Sequence, residues 1–386
     1  MRILFVGVRW FLEDIPNQNF SFKRGMDLAG NNTGNLFIGE GMRHHLIRLF
    51  PDIEKIRYLT IGQIENDDYV TAEWANQNFD FIVMAAANMI NDSVHLDTLA
   101  NFVETTNLPF FIFGAGAQAA DKNANINVSP SVTKLLKIAA ERSHSVGVRG
   151  DYTAHIVEKT GIKNIEIMGC PSMYLNTGKP HAVETPISKN IQKAAIFTKR
   201  DDLKHHSYPT LSAFQAKQYQ DAALRNFYYI IQTNYSEAWL AFHQEIDSKK
   251  VSDILSSFRY PKDAYGKMTK KLMQQLRIFF RFHEWRDFIK TLDFTYGARF
   301  HGNMMSVMHH TPALFICHDS RTIELCEFLD LPHINILDYD IDNYTFEHMV
   351  EAADYSDFNK NYKAKCNRFE NYLRQQFKNF LPPSAT

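Results

Sequence analysis

A guanidinium, an imidazole and two glycines lie together in the segment GARFHGNMMSV (297–307), where a strand is expected to become a helix. Strand side chains alternate in direction with a period of two, so Arg299 and His301 share one side if the strand continues through Phe300. A helix that begins at Gly302 adds free backbone N–H groups and the positive end of its dipole. The pattern predicts an anion site contacted by Arg299, His301 and Gly302. The alternative for His301 is a structural cap of the turn.

A second arginine occupies a similar place in the first half of the chain. The segment SVGVRGD (145–151) ends an apolar strand with Arg149 and opens a helix for which Asp151 is the expected N-cap. A guanidinium at the carboxyl end of a strand, beside a helix N-terminus, suits a carboxylate or a phosphate. The alternative for Arg149 is an ordinary surface arginine.

Other polar residues also follow apolar runs and are candidate ligand contacts, each with a structural alternative. For GNNTGNLFIGEG (30–41) the alternative is an Asx turn with a helix N-cap. FGAGAQ (113–118) lacks the third glycine and the acidic residue of a dinucleotide site, which favours a tight turn. In ICHDSRTIEL (316–325) a cap at Ser320 is the alternative. The candidate substrate-binding residues are Asn32, Gly34, Asn35, Gln118, His318, Asp319, Arg321 and Glu324.

Composition limits the class of protein. The 386 residues are 45% hydrophobic and 22% charged, which is typical of a globular chain large enough for two domains. A net charge of -1 provides no global attraction to nucleic acid or an anionic membrane, so an anionic ligand needs a few placed cations. The four cysteines form no CxxC pair, which predicts reduced thiols and neither a zinc site nor a disulfide framework.

The segments that direct or anchor a protein in membranes are not evident in the sequence. The first ten residues, MRILFVGVRW, lack a signal-peptide core and cleavage site and predict a strand. No window approaches the roughly 20 apolar residues of a membrane span. We therefore expect a cytoplasmic protein, with peripheral contact to the inner face of the membrane left open.

Short apolar runs alternate with amphipathic stretches, which predicts βαβ units and mainly parallel sheets. Helices are expected over 34–50, 236–290 and 344–380, and a polar loop over 17–33. The expected strand segments are 2–8, 56–60, 79–87, 109–116, 143–150, 165–172, 193–200, 226–233, 294–300, 312–319 and 334–338.

The predicted fold class is α/β, with two doubly wound Rossmann-like domains and a central cleft, similar to the glycosyltransferase B architecture. The expected bounds are 1–175 for the first domain, 176–192 for a linker and 193–340 for the second domain. Residues 341–386 are expected to form C-terminal helices, which could pack back across the junction. Ligands in such sheets bind beyond the carboxyl ends of the strands, which is where the candidate residues lie.

Three segments together resemble the polysaccharide pyruvyl transferase family: NTGNLFIGEG, VGVRGDYTAHIVEKTGIKNIEIMGCPS and GARFHGNMMSVMHHTPALFICHDSRTIEL. The resemblance runs from about residue 30 to 330 and leaves 200–285 unmatched. It implies a glycosyltransferase-B-like fold and transfer of the pyruvyl group of phosphoenolpyruvate to a sugar, with a cyclic ketal as the usual product. The family's donor-binding arginine and Arg-x-His motif fall on Arg149, Arg299 and His301.

This donor carries a carboxylate and a phosphate, so a nearly neutral protein needs at least two placed cations. Arg149 and Arg299 would supply them from opposite domains, the second being the donor-binding domain. His301 is the expected general acid, because its ordinary pKa of about 6.5 lies near working pH. Candidate bases are Asp319, Glu324, His318 and the departing phosphate, and we expect neither a metal nor a cofactor.

The acceptor is expected to be a sugar of a cell-surface polysaccharide or of its lipid-linked precursor. Two alternatives remain at this point. The architecture also suits a glycosyltransferase with a nucleotide-sugar donor, and it suits a glycan-binding protein without catalysis. The identity of the donor distinguishes the first alternative, and turnover distinguishes the second.

Overall fold

The computed structural model describes residues 1–120, 122–198 and 209–381. Its first sheet is parallel, with strand order β2-β1-β3-β4. A parallel pair of strands, β5 and β6, continues this sheet through a bridge between Ala115 and Val148. The strands are β1 (Arg2–Gly7), β2 (Lys55–Tyr58), β3 (Phe81–Ala85), β4 (Phe110–Phe113), β5 (Val146–Val148) and β6 (Ile165–Ile167).

The second sheet contains six parallel strands in the order β12-β11-β10-β7-β8-β9. Numbered from its own first strand this order is 3-2-1-4-5-6, the doubly wound Rossmann order. The predicted fold class, α/β with two doubly wound units, is confirmed. The strands are β7 (Ala194–Phe197), β8 (Tyr228–Ile230), β9 (Leu276–Arg277), β10 (Phe294–Gly297), β11 (Ala313–Cys317) and β12 (His333–Asn335).

Helices connect the parallel strands, as right-handed crossovers require. In the first half they are α1 (Phe22–Leu28), α2 (Thr33–Leu49), α3 (Ile61–Asn66), α4 (Ala72–Asn78), α5 (Asp97–Thr105), α6 (Pro130–Arg142) and α7 (Asp151–Glu158). In the second half they are α8 (Pro209–Arg225), α9 (Tyr235–His243), α10 (Ser248–Ser257), α11 (Tyr265–Gln275), α12 (Phe282–Ile289), α13 (Phe300–Met308), α14 (Ser320–Leu329), α15 (Phe346–Glu351) and α16 (Ser356–Gln376). None of the helices in the described residues is long and apolar enough to cross a membrane.

Central strands are apolar on both faces because helices cover both faces of each sheet. β3 has the sequence FIVMA and β11 has ALFIC, and every residue of both is buried. These continuous apolar runs are the sequence pattern from which both strands were predicted.

Three local predictions were wrong. The polar loop over 17–33 contains α1, which Ser21 caps by accepting a hydrogen bond from Arg24 N. The helical region 236–290 contains β9, a strand of only two residues whose length gives no period to detect. The strand predicted over 294–300 ends at Gly297, and the helix begins at Phe300 rather than Gly302.

Gly297 explains the early end of β10. Its φ of +146° is in the region that favours glycine, and a Cβ there would lie 2.1 Å from Phe197 O. The strand predicted over 193–200 ends at Phe197, and its last two positions, 199 and 200, lie outside the described residues. The same is true of 201–208 in the unmatched middle region and of 382–386 in the C-terminal segment.

The C-terminal helix α16 returns to the first sheet. Phe377, just beyond its end, contacts Phe111, Phe81 and Phe113 at ring-centroid distances of 4.7, 5.3 and 5.7 Å. Gln376 Nε2 donates to Ser145 O at 2.6 Å. The last helix therefore completes the core of the half of the molecule in which the chain begins.

Phe377→Ala is expected to lower the free energy of unfolding by about 3–5 kcal/mol, because it empties a fully buried aromatic site. Denaturant unfolding followed by tryptophan fluorescence measures this change. Leu224→Ala is the control, since Leu224 is 77% exposed and its loss is expected to change stability by under about 0.5 kcal/mol. Equal effects of the two substitutions would contradict the packing of α16.

Candidate functional site

Arg299 lies at the carboxyl edge of the second sheet, as the N-cap residue of α13. The chain leaves β10 at Gly297, beside β7, and Ala298 N donates to Phe197 O at 2.8 Å. Arg299 Nε donates to Thr198 O at 3.3 Å, and its Nη2 donates to Thr233 Oγ1. The guanidinium is therefore held by residues that follow β7 and β8, beside the point between β7 and β10 where the strand order reverses and where ligands bind in such sheets.

His301 lies in the first turn of α13 and points away from Arg299, towards the first half of the chain. Its Nε2 is 3.5 Å from Cys170 Sγ, just after β6. The prediction that Arg299 and His301 share one side of a strand was wrong, because both residues follow the end of β10. The two side chains instead lie on either side of the helix N-terminus, one on each half of the molecule.

The pKa of His301 is well below 6.5. Burial is the largest cause, since the side chain is only 6% exposed, and the charges of Arg149 and Arg321 lower the pKa further. The imidazole is therefore neutral near pH 7 in the absence of a ligand. A negatively charged ligand placed beside it would act in the opposite direction and raise the pKa.

Arg149 is fully buried at the end of β5, so the alternative of a surface arginine was wrong. Its Nε donates to Gly114 O at 2.9 Å, its Nη1 to Asn88 Oδ1 at 2.5 Å and its Nη2 to Ala86 O at 3.3 Å. These bonds use three of the five N–H groups of the guanidinium and fix it across the ends of β3 and β4. Burial lowers the pKa of Arg149, although the group stays charged at neutral pH.

Asp319, the N-cap of α14, connects the two halves of the molecule. Its Oδ1 accepts from Thr322 N at 2.9 Å, and its Oδ2 accepts from Gln118 Nε2 at 3.1 Å and Arg321 Nη2 at 3.3 Å. Burial alone would raise the pKa of this carboxyl, but Arg321, His318 and Thr322 lower it below its ordinary value. Asp319 is therefore ionised at neutral pH.

The serine after Asp319 has a different role from the predicted one. Asp319, and not Ser320, caps α14, and Ser320 Oγ accepts from Ala119 N at 3.0 Å. Ser320 N in turn donates to Ala119 O at 3.1 Å. This reciprocal pair joins the segment after β4 directly to the start of α14.

Glu324 makes the other strong connection between the halves. Thr153 N donates to its Oε2 at 3.0 Å and Thr153 Oγ1 donates to its Oε1 at 2.6 Å. Burial raises the pKa of Glu324 to about 7, and the bonds from Thr153 oppose this shift. Gly150, not the predicted Asp151, is the N-cap of α7, and a Cβ on it would lie 2.7 Å from Glu324 Oε2.

The predicted substrate-binding residues of the second half thus lie close together, and their side chains contact other protein groups. His318 is 1% exposed, and its Nε2 lies 3.5 Å from Asp319 Oδ2. Gln118, Asp319 and Glu324 all bond across the junction. These contacts assemble the walls around His301 and Arg149.

The predicted substrate-binding residues Asn32, Gly34 and Asn35 lie at the N-terminus of α2. Asn32 is its N-cap and accepts from Gly34 N at 3.0 Å, which is the structural alternative considered for it. Asn35 Nδ2 donates to Ala29 O at 3.2 Å. Gly34 faces the second half, where its missing side chain makes room for Gln232.

Sequence reasoning missed Gln232, Cys170 and Asn88. Gln232 follows β8, Cys170 follows β6 and Asn88 follows β3, so the rule that ligands bind beyond strand ends would have selected all three. Their side chains carry no charge, and nothing in their local spacing distinguished them from ordinary loop residues.

A crevice opens beyond the carboxyl ends of β1 and β3, where the strand order of the first sheet reverses. It has a volume of about 360 Å³, and its walls are mostly apolar, with Met84, Met89 and Leu99 among them. Asn88 lines it and also accepts the hydrogen bond from Arg149. The crevice therefore adjoins the cluster around His301.

Within the part of the chain that the structure describes, no group of three or more His, Cys, Asp and Glu side chains is placed to hold a metal ion. The four cysteines are buried and unpaired. The positively charged side chains around the N-terminus of α13 are those of Arg149, Arg299 and Arg321.

Comparison with known proteins gives one assignment. The family model described as polysaccharide pyruvyl transferase matches residues 32–320, three quarters of the chain. No curated protein matches the sequence. The match includes both halves of the site, from the N-cap of α2 to the first residue of α14.

Solved structures resemble the chain only distantly. UDP-GlcNAc 2-epimerase from Methanocaldococcus jannaschii, solved with UDP-GlcNAc and UDP, has a TM-score of 0.45 at 10% identity, over 97% of this chain and 99% of that one. MnaA from S. aureus, solved with UDP, has a TM-score of 0.46 at 9% identity, over 97% of this chain and 96% of that one. Similarity this distant assigns no function.

Glu324→Gln is expected to change how stability depends on pH. The folded carboxyl has a pKa of about 7 against an ordinary value of 4.5, so wild-type stability is lost as pH rises through this interval. Relative to wild type, the glutamine variant should gain about 2–3 kcal/mol of unfolding free energy between pH 4.5 and 8. Urea unfolding across that pH range measures the difference.

Glu158→Gln is the matched control. Glu158 is an exposed glutamate on α7, the helix whose Thr153 bonds to Glu324. Its stability relative to wild type should stay nearly constant over the same pH range. If the unfolding free energy of Glu324→Gln relative to wild type is also independent of pH, this carboxyl is not held protonated by burial.

Proposed function

Because the chain belongs to the polysaccharide pyruvyl transferase family, we propose that it transfers the pyruvyl group of phosphoenolpyruvate to a sugar. The acceptor is a sugar of a cell-surface polysaccharide or of its lipid-linked precursor, and the products are a pyruvate ketal and phosphate. The observation that carries this proposal is the placing of Arg299 and His301 on either side of one helix N-terminus, within the matched region.

Donor binding follows from the charges around α13. The helix N-terminus and Arg299 attract one anionic group of the donor, and Arg149 and Arg321 create a positive field on the side of His301. The field matters because the chain as a whole has a net charge of only -1. Binding by both halves of the molecule would hold the donor at their junction.

His301 is the general acid of the proposed reaction. The bound donor brings two acidic groups, and their negative charge raises the pKa that burial and the arginines have lowered. The protonated imidazole then delivers its proton to the methylene carbon, which leaves an oxocarbenium-like centre at C2. A sugar hydroxyl adds to C2, phosphate departs, and a second hydroxyl of the same sugar closes the ketal.

The acceptor side is proposed as the crevice beyond β1 and β3. Asn88 connects it to Arg149, so a sugar there would approach the donor from the first half. Among the candidate bases, Glu324 has the pKa nearest neutrality, Asp319 is held ionised, and the departing phosphate is already at the reaction centre. The reaction uses no metal and no cofactor besides the donor.

An assay with purified protein tests the identity of the donor. Purified protein should release inorganic phosphate only when phosphoenolpyruvate and a suitable glycan or lipid-linked oligosaccharide are both present, and the glycan should gain the mass of a pyruvate ketal. Phosphate assay and mass spectrometry measure the two products. Release of a nucleoside diphosphate from a nucleotide-sugar, without phosphate release from phosphoenolpyruvate across a broad acceptor panel, would contradict the proposal.

Substitutions separate the proposed roles. Arg299→Ala should raise KM for phosphoenolpyruvate about tenfold or more, since it removes a charged hydrogen-bond donor. His301→Ala should lower kcat by about 10²- to 10⁴-fold with a smaller effect on KM. Arg368→Ala, on an exposed arginine paired with Glu166, is the control and should change neither. Normal turnover of the His301 variant would exclude the acid role.

Donor binding should also be accompanied by proton uptake near pH 7. His301 is neutral before binding and gains charge when the anion arrives, because opposite charge raises a pKa. Calorimetry in two buffers of different ionisation enthalpy measures the number of protons. The uptake should decrease in His301→Ala, and equal uptake by the variant and wild type would show that another group takes the proton.

A further inference from the structure

Beside the N-terminus of α13, three polar side-chain atoms are buried without a hydrogen-bond partner among the described residues: Gln232 Nε2, Thr198 Oγ1 and Thr33 Oγ1. Gln232 is 2% exposed, and both threonines are equally inaccessible. A buried donor without an acceptor lowers stability, so native proteins rarely retain several close together without a reason.

Contacts of the same residues place these atoms in one region. Thr33 N, at the start of α2, donates to Gln232 O at 2.9 Å. Thr198 O accepts from Arg299 Nε. A Cβ on Gly302 would lie 2.4 Å from Gln232 Nε2 and 2.4 Å from Phe197 Cδ1, so the amide rests directly on the first turn of α13.

The first turn of α13 adds further donors. An α-helix leaves its first backbone N–H groups without acceptors inside the helix, and no side chain of the described residues caps α13. α13 has nine residues and carries the positive end of its dipole at this point. Backbone N–H groups, an amide N–H, two hydroxyls and a guanidinium thus lie near the first turn of α13.

We propose that this position binds the phosphate of the donor and that Gln232 Nε2 donates a hydrogen bond to it. This proposal rests on the proposed function and adds the place of one donor group and a residue that binds it. A tetrahedral dianion accepts hydrogen bonds from many directions, which matches this arrangement better than a planar carboxylate does. The carboxylate of the donor then lies towards His301 and Arg149.

Two glycines make room for the amide. A Cβ on Gly34 would lie 2.7 Å from Gln232 Oε1, just as one on Gly302 would meet Nε2. Gly34 belongs to α2 and Gly302 to α13, so Gln232 lies between helices of the two halves of the molecule. Phosphate at this position is therefore held where the two halves meet.

The test measures binding of inorganic phosphate and of pyruvate, separately, to the full-length protein by calorimetry. Gln232→Met keeps the length of the side chain and removes its N–H donors. It is expected to weaken phosphate binding about tenfold and to change pyruvate binding by less than about twofold. Gln376→Met is the matched control, because Gln376 is a buried glutamine that donates to Ser145 on the first sheet.

Several results would overturn the proposal. They are unchanged phosphate affinity in Gln232→Met, a loss of pyruvate binding in place of phosphate binding, and failure of the wild-type protein to bind phosphate. Gly34→Ala provides a second variant that displaces the amide without removing it, and it should also weaken phosphate binding. If Gln232→Met does not fold, an unchanged phosphate affinity in Gly34→Ala contradicts the proposal.

The outcome is distinguishable from failure of the proposed function. If wild-type protein transfers the pyruvyl group but Gln232→Met binds phosphate normally, only the role of Gln232 is wrong. If wild-type protein binds phosphate through Gln232 but releases none from phosphoenolpyruvate, the phosphate site stands and the proposed reaction is wrong.

Discussion

The hydrogen bonds from Thr153 to Glu324 are the interaction on which the geometry of the site depends. They join α7 of the first half to α14 of the second, and with the Ser320–Ala119 pair they hold the carboxyl edges of two parallel sheets against each other. Placed edge to edge, they bury Arg149 and bring its charge close enough to His301 to lower the pKa of the imidazole.

A further consequence of this contact is electrostatic. Arg149 and Arg321 lie near His301 in a protein of almost zero net charge, and the complete burial of Arg149 removes the water that would otherwise screen its charge. Asp319 and Glu324 offset part of this charge, one ionised and one with a pKa near neutrality. The remaining positive charge is local to this junction, in a chain whose net charge is -1.

Much of the fold was predictable because parallel strands covered by helices on both faces are continuous apolar runs. β3 and β11 are examples, whereas β9 has two residues and lies in an amphipathic sequence that favours helix. The sequence predicted which polar residues follow the strands, but it did not predict what their side chains contact. The sequence contains no information on whether a polar residue after a strand, such as Asp319, contacts a ligand or the other half of the protein.

The relation between Arg299 and His301 depended on a detail of backbone geometry. A period of two applies only while a strand continues, and the φ of +146° at Gly297 ends β10 before either residue. The turn at Gly297 sends Arg299 to the second sheet and His301 to the first half. Gln232 was missed for a different reason, since only the folded structure shows that its Nε2 is buried without a hydrogen-bond partner among the described residues.

The return of α16 to the first sheet means that the polypeptide passes between the halves twice, once between β6 and β7 and once along α16. Tyr355, at the start of this helix, donates to Ala313 O on the second sheet, and Phe377, just beyond its end, packs on Phe111 of the first. Because α16 is one continuous helix, the halves cannot move apart while both of these contacts are kept.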